Sequence, residues 1–555
     1  MSERNCFVKR SPVSVIESRF LFLGTILLIL TGAPTARAQS SAPIDLVRQA
    51  VAAQGGVSAL RNLKRLSIKG EIRHWEPEES YVAGGEPVFT DHSTFVISWD
   101  LEHGMARTDW DRRIQFPAVT HDIYSEIVTP RLGYADVAGG DLAISQSDLP
   151  PMGQQAMSGI RVAAHLRELE RASPILLLKA LDAPQNLRVL PDQTLGGGTY
   201  DGAFGGYFPP LSLPAVGFSE GGTTFTIMFD RKTHLPAAIR TLDDDALLGD
   251  SAYDLILSDW RPVGGVQIAR SLTYTLANIA IAKATYSEVA LNPLLPGKTF
   301  AISDAVGRAV KPPATADVPY QWVLRRLNFN RFPDSDAVNF MPGGGLKLVE
   351  LAPNVQQVLG GSHNGLIVAM KDYLVVFDAP INEWQSRFTI DAAKAKYPGK
   401  PLRYVVLTHH HTDHTGGART YVAEGATVIV PSPDKAFFER VFKAPHAVSP
   451  DELQKTPTSA TIIEVADRMT LTDESGEIRL YNIPSPHAQG MLVSHITSAD
   501  LMWVTDQYSA GRDRTKSPGA VHLYETLKRL RVKPARFAGG HGSSGTYAEF
   551  EAIEK

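Results

Sequence analysis

The run Thr408-His409-His410-His411-Thr412-Asp413-His414-Thr415-Gly416-Gly417 follows directly on the apolar segment Tyr404-Val405-Val406-Leu407. Four of the chain's 16 histidines fall within six positions here. Imidazole and carboxylate are ligands that zinc accepts, and a buried strand ending in a short turn before a helix can aim several of them at one point. His409 and His411 stand at the two-residue period of an extended stretch and share a side, whereas Asp413 and His414 turn toward a second point nearby. One short segment therefore starts two metal positions, and the pattern predicts a two-metal hydrolytic site. His410 lies between the ligands and points away at the same period, as a supporting or core residue.

At 555 residues the chain is too long for one ordinary core and predicts two or three domains. A hydrophobic share of 43%, a charged share of 21% and a formal charge of -4 describe an ordinary globular protein with no general attraction to nucleic acid. A small-molecule substrate is the expected partner; oligomeric state is not legible.

Residues 1–38 have the pattern of a signal peptide. Lys9, Arg10 and Arg19 precede the apolar run Phe20 to Leu30, and Ala36-Arg37-Ala38 supplies a cleavage site before Gln39. The apolar run is shorter than the roughly twenty residues of a spanning helix, so no stable membrane anchor is expected after cleavage. Cleavage also removes Cys6, the single cysteine. A chain then free of cysteine fits an oxidising compartment and excludes cysteine catalysis. The expected location is a bacterial periplasm or the exterior.

Residues 39–300 read as a β-rich domain. Ile44 to Leu60 has helical spacing broken at Gly55-Gly56, and alternating runs follow at Leu66 to Ile72, Thr94 to Trp99, Thr224 to Phe229, Tyr253 to Leu257 and Val266 to Tyr274. Turn signals such as Arg261-Pro262-Val263-Gly264-Gly265 separate them, which predicts successive hairpins of a curved antiparallel sheet. Met157 to Leu181 reads as a helical stretch split by Pro174 and able to cover that sheet, and Asp192 to Gly222 reads as a loop. The order of these parts loosely resembles periplasmic lipoprotein-carrier half-barrels. That resemblance implies a concave apolar surface, but the expected role is a structural spacer.

Residues 301–345 are the predicted connector, with Lys311-Pro312-Pro313 and Pro342-Gly343-Gly344-Gly345. The aromatics of Phe329-Asn330-Arg331-Phe332-Pro333 read as a packed linker, with a lid as the second choice. In residues 346–555, Leu366 to Met370 and Tyr373 to Phe377 predict a hairpin around Lys371-Asp372. Phe388 to Tyr397 predicts a helix and Tyr404 to Leu407 a buried strand, giving an α/β alternation.

Over roughly residues 346–555 the chain resembles the metallo-β-lactamase fold hydrolases. His409, His411, Asp413 and His414 match the family's first ligand run, with Gly416-Gly417 after it. His487, in Pro484-Ser485-Pro486-His487, matches the next histidine, although the residues after it differ from the usual pattern. Asp506, after the strand-like Leu501-Met502-Trp503-Val504, matches the bridging aspartate, and His541, in Gly539-Gly540-His541-Gly542, the last ligand. The fold class expected is thus mixed α+β and α/β: a C-terminal αββα sandwich preceded by an antiparallel β-rich half-barrel-like domain.

The resemblance implies two zinc ions, one held by His409, His411 and His487, the other by Asp413, His414 and His541, with Asp506 spanning both. Two cations about 3.5–4 Å apart lower the pKa of a shared water and polarise the oxygen under attack, while Asp413 orients that water or takes its proton. Asp378 is expected to orient a ligand histidine, His363 is a candidate to line the site, His495 reads as structural, and Tyr508 is a candidate hydrogen-bond donor to the substrate oxygen. Position 506 holds no cysteine, which disfavours the cysteine-ligated β-lactamases. The function expected is a dizinc hydrolase of a small ester, lactone, amide or β-lactam. Two alternatives stand beside it: a mononuclear iron oxygenase of sulfur compounds, and a periplasmic lipid-binding protein with a vestigial metal domain.

Overall fold

The computed structural model describes residues 42–141, 154–197, 209–308, 320–329, 345–361 and 363–554. The signal segment 1–38 and most of the connector, including 330–333 and 342–344, lie outside the described residues. Ala42–Lys555 forms one compact unit, so the β-rich part and the metal-ligand part are packed on each other. Among the described residues no helix is long and apolar enough to cross a membrane.

The β-rich part is one antiparallel sheet of 13 strands, running from Arg65–Glu76 to Ile279–Leu291 with a short strand, Leu187–Val189, at one edge. The first and last long strands pair in its middle, Leu66 opposite Leu291 and Ile72 opposite Ala284. All five alternating runs lie within strands. Bulges at Lys69/Gly70, His74/Trp75 and Tyr274/Thr275 bend the sheet. At Gly70 any Cβ would lie 2.5 Å from the Thr285 carbonyl oxygen and 2.8 Å from the Phe95 ring, so only glycine fits that bend. Helices Gly159–Arg171 and Leu176–Asp182 interrupt the strands on either side of Pro174, and Leu169, Ala172 and Ile175 pack on a sheet face built from Ile68, Ile72, Phe95 and Trp99. The 192–222 region is not wholly a loop. It contains the ribbon Gln193–Leu195/Leu211–Leu213 and the sheet strand Ala215–Glu220, whose Val216 and Phe218 are fully buried against the N-terminal helix Pro43–Gln54. Glycine and proline density hid these short, partly unalternating strands.

The second part is a sandwich. Its first sheet has seven strands, in the order Lys347–Ala352, Val355–Leu359, Gly365–Ala369, Leu374–Phe377, Leu402–Val406, Thr427–Pro431 and Ile462–Val465. The first four pair antiparallel and the rest parallel. The second sheet has six strands, from Arg468–Asp473 to Ser544–Thr546. Between the sheets, Leu366, Val368, Val375, Phe377 and Val406 meet Leu480, Leu492, Leu501 and Trp503, all essentially inaccessible. Strands buried on both faces read as continuous apolar runs rather than alternation, as Leu374–Phe377 does. Helices close the outer faces: Glu383–Lys396, Ala418–Ala423 and Lys435–Val441 over the first sheet, Pro518–Leu530 and Tyr547–Glu554 over the second. The first of these starts five residues earlier than the sequence pattern predicts, because the Asn382 side chain accepts from the Gln385 backbone N–H and caps it.

The two parts meet through buried groups. Helix Tyr320–Phe329 carries Trp322 and Val323 into a cluster with Ile160 and Ala164 of the β-rich part and Ile381 of the sandwich. Arg325, 3% exposed, binds Glu76, Glu78 and Asp245, the last two at 3.0 and 3.1 Å. Burial, with Asp245 and Glu76 beside it, pushes the Glu78 carboxyl well above the usual carboxylate range, and the group is tolerated in the interior because the guanidinium fork satisfies several carboxylate oxygens together.

Candidate metal centre

The strand Leu402–Val406 runs in the middle of the first sheet and stops at the sandwich edge, where residues 407–411 form a non-helical turn into the short helix Thr412–Thr415. Asp378, at the end of the neighbouring strand, anchors that turn. One of its carboxylate oxygens accepts the Thr408 backbone N–H at 2.9 Å and hydroxyl at 2.8 Å; the other accepts the Trp503 indole N–H at 3.3 Å and lies 3.5 Å from His414 Nδ1. Asp378 is therefore the support for a ligand histidine that its sequence position predicts. Gly416 and Gly417 let the turn close on Ile381 to Ser386: a Cβ at either would lie 2.1 Å from an oxygen there.

Three later loops complete the cluster. His487 stands in the turn before Leu492–Ile496, Asp506 after Leu501–Val504, and His541 after Arg536–Gly539. Asn364 ties this last loop to the first sheet, its amide donating to the Gly539 and Gly542 carbonyls at 3.0 and 2.9 Å. Asp506 has a left-handed backbone, φ 54°, a conformation that costs energy away from glycine and marks functional turns. Its carboxylate is the hub: 2.7 Å to His541 Nε2, 2.9 Å to His414 Nε2, 3.4 Å to His409 Nε2 and 3.8 Å to His487 Nε2. His409 and His487 bring their Nε2 atoms to 3.3 Å.

The structure brings all seven sequence-predicted ligands together at one place. His409, His411 and His487 form one group with ligand atoms within 4.8 Å of one another, and Asp413, His414 and His541 fall in a second. The second group also takes His363, whose Nε2 lies 2.9 Å from Asp413 Oδ2 and whose ring stacks edge-on to His541 at 4.6 Å. His410 turns away, with Nδ1 3.7 Å from Asp434, and His495 pairs with Asp500 far along the sheet. Tyr508 is not at the centre. Its ring packs 5.5 Å from Phe537 and 4.6 Å from Phe550 in the core under the C-terminal helices, because the turn after Asp506 carries it to the outer side of the second sheet. The donor role predicted for it is therefore withdrawn.

Sequence reasoning missed the contribution of the β-rich part. After the strand Arg65–Glu76 the chain makes a 3-10 turn, Pro77–Glu79, and lies between the two ligand loops. The Ser80 carbonyl accepts from His410 Nε2 at 2.7 Å and His411 Nε2 at 3.0 Å, and the Tyr81 carbonyl accepts the Gln489 backbone N–H at 2.9 Å. Glu78 accepts from the Thr412 hydroxyl, and Glu79 Oε2 lies 3.3 Å from His411 Nδ1. The three acids within four positions, Glu76, Glu78 and Glu79, were the visible signal; nothing local says that they face histidines more than 300 positions on. The β-rich part is thus more than the spacer expected of it.

The electrostatics suit a cation. Burial holds His409 and His411 well below the ordinary histidine range, helped by the neighbouring imidazoles, so both are neutral with a lone pair to offer. His363 is pushed down to about 4 by burial, against the pull of Asp413. Burial would raise the Asp506 carboxyl, but His414, His541 and His487 outweigh it and hold it well below the usual carboxylate range. Burial would lower His414, but Asp506 and Asp413 outweigh it and hold it well above the ordinary histidine range. His411 Nδ1, Asp413 Oδ1, His414 Nε2 and Asp506 Oδ2 are buried with no hydrogen-bond partner among the described residues. Buried polar atoms without partners are costly, and imidazole with carboxylate is a zinc or iron donor set. The residues fit bound metal.

An αββα sandwich with histidine and aspartate side chains gathered at one edge of both sheets defines a metal-binding domain of a known class. Residues 359–506 match the model of the Metallo-beta-lactamase superfamily. Solved structures similar to the chain include the DIM-1 metallo-beta-lactamase exposed to ceftazidime, 15% identical over 38% of this chain and 94% of that one, TM-score 0.30. Others are a metallo-beta-lactamase from Hirschia baltica, 15% identical over 38% and 95%, TM-score 0.30, and the metal-soaked Flv1 flavodiiron core from Synechocystis sp. PCC6803, 15% identical over 37% and 59%, TM-score 0.31. No curated protein matches the chain.

Proposed function

We propose that the protein is a dizinc hydrolase acting on a small carbonyl substrate, an ester, lactone, amide or β-lactam, in the periplasm or outside the cell. The observation that carries the reading is the convergence of His409, His411, His487, Asp413, His414 and His541 around Asp506, with His411 Nδ1 and Asp413 Oδ1 buried and without a hydrogen-bond partner among the described residues. The superfamily consists in general of metal-dependent hydrolases. Metal ions bound there supply a water of lowered pKa and a Lewis acid for the oxygen under attack.

The chain's own residues do the rest. His409, His411 and His487 hold the first position; His414 and His541, with Asp413, hold the second, and Asp506 lies between them. Asp413 holds His363 with one oxygen and keeps Oδ1 buried without a hydrogen-bond partner among the described residues, so that Oδ1 can orient a water or accept its proton. His363 keeps Asp413 from rotating. The extracytoplasmic location rests on the signal pattern of residues 1–38 alone.

Metal analysis of the purified protein, with hydrolysis of lactones, esters, amides, β-lactams and phosphoesters by wild type and His411→Ala, tests the reading. Two zinc ions per chain and loss of hydrolysis in the variant are expected. Full activity in His411→Ala overturns the mechanism, and iron with oxygen uptake replaces it with the oxygenase.

A second reading has its own observation. Between the bent sheet and helix Gly159–Arg171 lies a cavity of about 200 Å³ lined by Phe95, Trp99, Trp110, Tyr124, Tyr274 and Tyr286. An apolar ligand held there would make the protein a carrier as well, and native mass spectrometry of the whole chain shows such a ligand directly.

A further inference from the structure

We infer that Glu79, from the β-rich part of the chain, is a carboxylate ligand of the metal centre, entering it between His411 and Asp413. The inference rests on the metal-binding half of the function proposed above.

A carbonyl oxygen can only accept, so His411 must donate its Nε2–H to Ser80 at 3.0 Å. That fixes the tautomer and leaves Nδ1 as the atom with a lone pair for a metal, as an outer hydrogen bond commonly does for metal-ligating histidines. Nδ1 is buried without a hydrogen-bond partner among the described residues. Glu79 Oε2 stands 3.3 Å from it. Two atoms bound to one tetrahedral ion at about 2.1 Å are about 3.4 Å apart, so the pair has the separation of two ligands of one ion. His409 Nε2 and His487 Nε2 have it too, at 3.3 Å.

A second group points the same way. Glu79, His411 and Asp413 offer ligand atoms within 4.8 Å of one another. Asp413 is 7% exposed and its Oδ1 is buried without a hydrogen-bond partner among the described residues. Two carboxylates and an imidazole thus offer their atoms around one ligand-sized space. Glu79 groups with His411 and Asp413, so an ion that it holds is shared with those two residues rather than with His409 and His487.

The placement is built, not incidental. Glu78 next to it is held by Arg325 and Thr412, Ser80 by two histidines, and Tyr81 by Gln489. A segment fixed at each neighbouring residue cannot carry Glu79 far from the centre. The β-rich part then contributes a ligand of its own to the metal site.

The test uses the full chain as wild type, Glu79→Gln and Glu79→Asp, stripped of metal. Each is titrated with Co2+, reading the visible absorption, and with Zn2+ against a chromophoric chelator. Glu79→Gln keeps the shape and loses the charge; it is expected to bind at least one ion tenfold or more weakly and to change the Co2+ band, while Glu79→Asp retains part of the affinity. Glu79→Gln curves that superimpose on wild type, with the wild type still binding metal, overturn this inference alone. A wild type that binds neither ion overturns the inference together with the metal reading beneath it. Circular dichroism of the metal-free variants separates lost ligation from lost fold. If Glu79→Gln does not fold, the Glu79→Asp titration decides alone, and a wild-type curve from it overturns the inference.

Discussion

His411 donates its Nε2–H to the carbonyl oxygen of Ser80, 3.0 Å away across 331 positions of sequence. One main-chain oxygen of the β-rich part thereby selects which nitrogen of a ligand histidine faces the metal centre. Arg325 grips Glu76 and Glu78, a few residues before that oxygen.

Arg325→Ala therefore tests the coupling. It leaves Glu76, Glu78 and Asp245 buried beside one another without their shared cation, and removing one partner of a buried ion pair costs about 3–5 kcal/mol. Denaturant unfolding should show a loss of that size, with weaker zinc binding. Arg325→Lys should recover little of it, because an ammonium cannot bridge three carboxylates as the planar fork does.

Gly540→Ala probes the second metal position. A Cβ there would lie 2.5 Å from His414 Cε1 and 2.8 Å from the Thr505 methyl. The His414 ring must shift, at a cost of about 1–3 kcal/mol. Metal analysis should find the second ion depleted while the first is retained; full occupancy of both would show that the ring accommodates the methyl group.

Removing metal should lower thermal stability, because His411 Nδ1, Asp413 Oδ1 and Asp506 Oδ2 stay buried without partners. Binding to the folded chain alone adds about 2.7 kcal/mol at a hundredfold excess over Kd. Scanning calorimetry after chelation should show a lower Tm that rises again with added zinc; a Tm indifferent to both would contradict the site.

Tyr508→Phe should leave hydrolysis near wild type, since the ring packs against Phe537 and Phe550 in the core. A fall in kcat of tenfold or more, with KM unchanged, would return Tyr508 to the reaction.

Acid should weaken the β-rich part through Glu126. Burial raises its carboxyl, but His165 and Arg161 outweigh burial and hold it below its ordinary 4.5. A carboxylate lowered on folding stabilises above its unfolded value and loses that contribution as pH falls from about 4.5 through the folded value. Urea midpoints should therefore drop below pH 4.5, and drop less steeply in Glu126→Gln, which is already weakened at neutral pH. Equal slopes for the two would assign the acid loss elsewhere.

The ligand set was legible because its spacing is chemical. His409, His411, Asp413 and His414 sit within one turn, and His487, Asp506 and His541 each follow a strand-like apolar run that fixes where the loop begins. The long alternating strands were legible for the same reason, their period of two being a local property. The short strands at 193–195, 211–213 and 215–220 were not, since glycine and proline mask them and pairing with distant partners creates them. Tyr508 was misjudged because two positions beyond a ligand is close in sequence, while a left-handed residue at Asp506 sends the chain to the other side of the sheet.

The sequence by itself determined the donor set, the order of its members, the sandwich that carries them and the β-rich character of what precedes it. These follow from residue chemistry and periodicity over a few neighbours. Only the tertiary structure decided that Glu79 and Ser80 reach His411, that His363 braces Asp413 and that Arg325 locks the two parts together. Those contacts link residues tens to hundreds of positions apart, and no local pattern encodes them. They exist because burying helix Tyr320–Phe329 and the two core faces brings the end of one strand of the large sheet onto the edge of the sandwich.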